Sequence, residues 1–131
     1  MFRIGAAAAI LLLCAATAAH PQARRGAWLG GTWEGTGYQI DTDSTWAVRL
    51  TVGRGKYSVE YPSLNCGGRW RPLGDGRRLA RFREELTSGL DACENLSTVI
   101  VQRLSSRQLA VRYYNRGDDK VTSSVILSRV K

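Results

Sequence analysis

The chain has a single histidine, His20, and it stands at the expected start of the mature protein. That leaves a Ser-His-Asp or Cys-His nucleophilic site unavailable within one chain. Cysteine is scarce too, with Cys14, Cys66 and Cys93 only. If Cys66 and Cys93 pair, a zinc site of the usual His/Cys type lacks ligands. There is no GxGxxG and no P-loop; Gly53-Arg54-Gly55 and Gly74-Asp75-Gly76 read as hairpin turns. Glu84 and Glu85 are neighbours, and on a strand they point to opposite faces, so they cannot flank one bond. Asp118-Asp119 reads as a solvated turn pair. The expectation is a protein that is not an enzyme, with no catalytic residue, cofactor or metal. RRM, zinc-finger and helix-turn-helix patterns are missing as well, so nucleic acid is not an expected partner.

The beginning of the chain carries an address. Met1-Phe2-Arg3 is a short basic start, Ile4 to Ala16 is apolar, and Ala16-Thr17-Ala18-Ala19 supplies small residues before His20-Pro21. This is the pattern of a secretory signal peptide with an A-x-A-like cleavage site. The run is too short to cross a hydrocarbon core of about 30 Å, so no transmembrane segment is expected after cleavage. Cys14 follows Leu13, whereas a lipoprotein signal places a small residue before its modified cysteine. The expected organisation is a signal peptide over 1–19, a leader over 20–30, and one domain over 31–131, secreted or periplasmic in a bacterium.

Cleavage after Ala19 leaves 112 residues, a small single domain with a thin stability margin. Helical periodicity is absent and strand signals recur. Trp46, Val48, Leu50 and Val52 alternate with Ala47, Arg49 and Thr51. The same period of two marks Tyr57 to Tyr61, Ala80 to Leu86, Leu109 to Tyr113 and Val121 to Ser128. Less regular strands are expected over Trp33 to Ile40, Gly68 to Leu73 and Ser97 to Leu104. Short turns separate them. The predicted fold is all-β: an eight-stranded antiparallel up-and-down meander closed into a small barrel, which removes the two exposed edges.

Cys66 falls between the third and fourth strands and Cys93 between the fifth and sixth. In a meander, alternate loops share an end, so these two can meet. An even pair in an oxidising compartment reads as a disulfide. Such a bridge contributes about 3.5 kcal/mol on the chain-entropy model. The alternative is two reduced, buried thiols.

Two groups of residues are candidates for binding. Glu84 shares its face with Ala80, Phe82 and Leu86, the inner one. A buried carboxylate needs a partner. Arg129, on the face of Val125 and Leu127, is the candidate cation, and Glu84 is otherwise a polar anchor in a ligand cavity. Trp33, Trp46, Tyr57, Tyr61 and Trp70 either fill the core or line an apolar pocket at the barrel mouth. Separately, Arg69, Arg71, Arg81 and Arg83 belong on the outer face of one hairpin and form a candidate anion-binding patch. The precursor's net charge of +8 favours anionic partners such as acidic lipid or glycan.

Gly31-Thr32-Trp33 near the start of a secreted meander resembles the opening G-x-W of lipocalins and the first strand of avidin-type barrels. The lipocalin resemblance implies that a late arginine, here Arg129, covers Trp33. A second resemblance spans about half of the mature chain. Tyr61-Pro62-Ser63-Leu64, Cys66, Gly68, Phe82-x-Glu84-x-Leu86, Gly89 and Cys93 are similar to a YPSL-x-C-x-G module. That module occurs in extracytoplasmic parts of bacterial proteins, including outer segments of actinobacterial serine/threonine kinases. It implies a disulfide-bonded β domain outside the membrane.

The expected function is non-catalytic binding of a small amphiphilic molecule or a cell-envelope component. The alternatives are a protein-binding module, such as an inhibitor of a cell-wall hydrolase, and a structural envelope protein. A barrel filled by side chains favours the alternatives, and an open cavity favours a ligand.

Overall fold

The computed structural model describes residues 26–131. The expected signal peptide, Cys14 and His20 lie outside the described residues. The eight strands are β1 (Gly31–Gln39), β2 (Ser44–Gly53), β3 (Lys56–Tyr61), β4 (Cys66–Asp75), β5 (Leu79–Ser88), β6 (Thr98–Arg103), β7 (Gln108–Tyr114) and β8 (Val121–Arg129). Each pairs antiparallel with its sequence neighbour, and β8 returns to β1, closing the barrel. The meander is therefore a barrel without free edges, as period two and short turns predict.

Alternation decides the faces. Trp46, Val48 and Leu50 of β2 are buried while Ala47, Arg49 and Thr51 are exposed. Ala80, Phe82, Glu84 and Leu86 of β5 all point inward. The axis is filled by Trp33, Trp70, Phe82, Leu50, Leu109 and Leu127, each less than 2 % exposed or nearly so. The lower part of the barrel is thus a packed core rather than a channel.

Leu29, expected within a leader, belongs to that core, and Trp28 packs against it partly buried. A 3-10 turn at Ala27–Leu29 folds under the barrel and buries Leu29. Trp33 Nε1 donates to the Leu29 carbonyl at 2.9 Å, and Trp28 Nε1 donates to the Gly76 carbonyl at 2.9 Å. The Arg129 guanidinium lies 4.1 Å from the Trp33 ring centroid. It also donates to the carbonyls of Ser106, Gly30 and Trp28. One side chain ties the turn, the β6–β7 loop and the central tryptophan together.

Cys66 and Cys93 form a disulfide, with Cα atoms 6.5 Å apart. It pins the long β5–β6 loop to the start of β4. Gly89 makes the approach possible: its φ is +67°, and a Cβ there would come within 2.6 Å of the Cys66 Cβ. Asn95 Oδ1 adds a second tie, accepting from the Leu86 and Leu96 amides at 2.9 Å each.

Candidate functional site at the barrel mouth

Because the strands alternate in direction, loops 40–43, 62–65, 89–97 and 115–120 gather at one end. The opposite end is closed by the 27–29 turn, Trp33 and Arg129. The first end is open, and a recess of about 280 Å³ sits in it. Its walls are Trp46 of β2, Tyr61 of β3 and Tyr113 of β7. Trp46 meets Tyr61 and Tyr113 edge to face, with centroids 5.3 and 5.6 Å away. Gly37 seats the tryptophan: a Cβ there would stand 2.5 Å from its ring carbons.

Glu84 lies at the base of this recess, 3 % exposed. Its Oε2 accepts from Tyr61 Oη and, at 2.9 Å, from Trp70 Nε1. Tyr61 Oη is 3.0 Å from Tyr113 Oη. Tyr61 has one proton; while that proton serves an ionised Glu84, Tyr113 is the donor to Tyr61. Glu84 Oε1 has no hydrogen-bond partner among the described residues. No buried side-chain atom among them lacks a partner, so Oε1 is not fully enclosed and opens on the recess that Glu84 lines. Burial pushes the Glu84 carboxyl above its ordinary range, and the bonds from Tyr61 and Trp70 only partly oppose that. Burial also pushes the Tyr61 and Tyr113 hydroxyls well up, so both stay protonated at neutral pH.

The described residues bury three polar side chains, Glu84, Ser97 and Ser123, and all three line this recess. A second depression of about 440 Å³ lies on the outer wall over β1, β6, β7 and β8 and holds no buried polar group.

The mouth is also acidic. Asp41 and Asp43, Asp91 and Glu94, and Asp118 and Asp119 occupy three of its four loops. With Glu84 they make seven of the eleven acidic residues of the chain. Arg116 and Lys120 are the only cations on those loops. The far end reverses the sign, with Arg54, Lys56, Arg77, Arg78, Arg103 and Arg107 in or beside its loops. A net positive chain thus presents an acidic mouth.

The candidate residues therefore separate. Trp46, Tyr61 and Glu84 meet at the recess. Trp70 stands beneath them as a donor to Glu84. Trp33 belongs to the closed end, and Tyr57 packs on Phe82 with centroids 4.9 Å apart, away from the recess. Arg129 is not the partner of Glu84: it sits over Trp33 at the opposite end, and two neutral donors hold Glu84 instead. Tyr113, Ser97 and Ser123 are additions that the sequence reading did not single out. Applying to the acidic loops the end-sharing rule used for the cysteines would have found the acidic mouth.

Arg69, Arg71 and Arg81 are exposed on the outer wall and Arg83 is half-buried there. Three of the four are engaged within the fold. Glu85 sits between Arg69 and Arg71, at 2.8 and 2.7 Å, and Arg83 donates to the Leu96 carbonyl at 2.8 Å. Those two guanidiniums, Arg69 first, hold the Glu85 carboxyl below its usual range. No protein-family model, curated protein or solved structure matches this chain.

Proposed function

We propose that this chain is a non-catalytic binding protein of the extracytoplasmic space that takes a small ligand, or the head group of an amphiphilic one, at the barrel mouth. One observation carries this reading: every buried polar side chain of the described residues lines one aromatic-walled recess. Polar groups buried for stability alone are satisfied by their neighbours, whereas Glu84 keeps an oxygen open. A volume of about 280 Å³ is near the lower end of ligand pockets, about 300–1,000 Å³, and suits a head group better than a whole lipid. The Cys66–Cys93 bridge suits the oxidising compartment that the expected signal peptide implies.

A protein-binding role, such as inhibition of a cell-wall hydrolase, is the second reading. Net positive charge disfavours a basic partner, but the end that would meet it is acidic.

Indole resonances test the small-ligand reading. The four tryptophans occupy different ends: Trp46 at the mouth, Trp70 under Glu84, Trp28 and Trp33 at the closed end. In two-dimensional ¹H–¹⁵N spectra, screening small polar and amphiphilic compounds should shift the Trp46 and Trp70 indole signals and leave Trp28 and Trp33 in place. Shifts confined to Trp28 and Trp33, or none with any compound, would contradict it.

A further inference from the structure

Building on the mouth as the binding site, we propose that its ligand is an organic cation: an ammonium group seated against Glu84 between Trp46, Tyr61 and Tyr113. A carboxylate taken out of water needs countercharge or a full set of donors. Glu84 has two neutral donors, both on Oε2, and no cation within the described residues. Oε1 is left open on the recess, where an ammonium N–H would complete it with a charge-assisted bond.

The recess lining and most charges on the mouth loops favour positive charge, Arg116 and Lys120 being the exceptions. Among the described residues no lysine, arginine or histidine lines the recess, and Glu94 adds a second carboxylate to its lining. The six acidic residues on the mouth loops draw cations toward the opening. Aromatic walls hold an alkylated ammonium by dispersion and by the ring quadrupole. They do not suit a bare metal ion, because calcium wants six to eight oxygen ligands. The described residues contain no group of three His, Cys, Asp or Glu placed to hold one. The same ammonium chemistry is offered by a free amine and by a lysine side chain of a protein.

Calorimetric titration of the disulfide-bonded chain at neutral pH and low salt tests this with four probes. They are choline, a lysine blocked at both termini, the neutral isostere of choline with carbon in place of nitrogen, and butyrate. At least one ammonium probe should bind about tenfold or more tightly than the neutral isostere, and butyrate should give no binding. Preference for choline points to a free quaternary amine, preference for blocked lysine to a protein side chain. Glu84→Gln should remove the preference while leaving the weak binding of the isostere. Glu34→Gln, on the outer wall beside Arg49, should leave it intact. An isostere that binds as tightly as choline, unaffected by Glu84→Gln, overturns the cation and leaves the mouth as a site. Absence of binding by all four, with no shift of the Trp46 indole, overturns both. The probe comparison on the unaltered chain stands whether or not a variant folds.

Discussion

Trp70 Nε1 donates to Glu84 Oε2 across 2.9 Å in the interior of the barrel, and among the described residues no cation stands beside the carboxylate. A stabilising buried ion pair would have looked different. Glu84 is held in shape by neutral donors and left charged, or ready to charge, against an open recess. That arrangement costs stability and makes sense if a ligand supplies the missing charge.

The sign of the pH dependence follows. Burial raises the folded-state carboxyl of Glu84 above its unfolded value. The folded chain then binds a proton more readily than the unfolded one, so Glu84 makes stability fall as pH rises from the unfolded carboxylate range through its raised folded value. The groups around it are the protonated hydroxyls of Tyr61 and Tyr113 and the Trp70 indole, and Glu94 is the other carboxylate that lines the recess. Glu84→Gln keeps an acceptor for Tyr61 and Trp70 and should flatten this part of the profile. Urea unfolding of both proteins between pH 4 and pH 8 checks it. A wild-type profile that rises with pH relative to the variant would reject the assignment.

Removing the acceptor is a different matter. Glu84→Leu leaves the Tyr61 hydroxyl and Trp70 indole without their shared partner and should cost about 1–3 kcal/mol for each group left buried and unpaired. Tyr61→Phe breaks the chain from the other side, stranding Tyr113 and half of the support of Glu84, with a loss of about 1–3 kcal/mol. Chemical denaturation of the two variants against Glu84→Gln provides the comparison.

At the closed end, Arg129→Ala removes the cation over Trp33 and the three carbonyl contacts, and should destabilise by about 1–3 kcal/mol. Arg129→Lys keeps the charge but not the planar fork and should recover only part of it. Neither should alter the Trp46 indole signal, since the two ends share no contact through Arg129.

Intact mass under non-reducing conditions should show no free thiol in the mature chain. Replacing Cys66 and Cys93 together with alanine should cost about 3.5 kcal/mol and loosen the loop that carries Asp91 and Glu94. Two alkylatable cysteines would remove the bridge from the account.

Any attraction to anionic surfaces should come from the outer wall and the basic end, not the mouth. Binding to vesicles of anionic lipid should collapse as the Debye length shrinks from about 30 Å at 0.01 M salt to about 8 Å at 0.15 M. Because Glu85 already occupies Arg69 and Arg71, Arg77→Ala with Arg78→Ala should weaken it more than Arg69→Ala does. Salt-insensitive binding would contradict a purely electrostatic contact.

The barrel was legible because alternation and turn residues are local signals. Loop order alone then brought Cys66 and Cys93 to one end. Strand parity also put Glu84 inside, correctly. What parity does not give is height along the axis. Glu84 lies toward the mouth end of β5, and Arg129 is the last residue of β8 at the closed end, so a shared inner face did not make them neighbours. Tyr113 reads in sequence as one more core position beside Val111. Only the closing of β8 onto β1 and the register of β7 bring it to Tyr61. Trp28 and Leu29 looked like part of a leader because a 3-10 turn of three residues has no periodicity to read.

The account rests on Glu84 being a ligand-facing carboxylate, and its own titration addresses that most directly. Following the side-chain carboxyl carbon of Glu84 by ¹³C NMR as pH changes, with and without choline, reads both halves of the claim. The free protein should titrate above the ordinary carboxylate range, and choline should pull the midpoint down by favouring the ionised form. A Glu84 that titrates at or below the ordinary range, with no response to choline, would show a carboxylate already satisfied by the fold and would contradict the account.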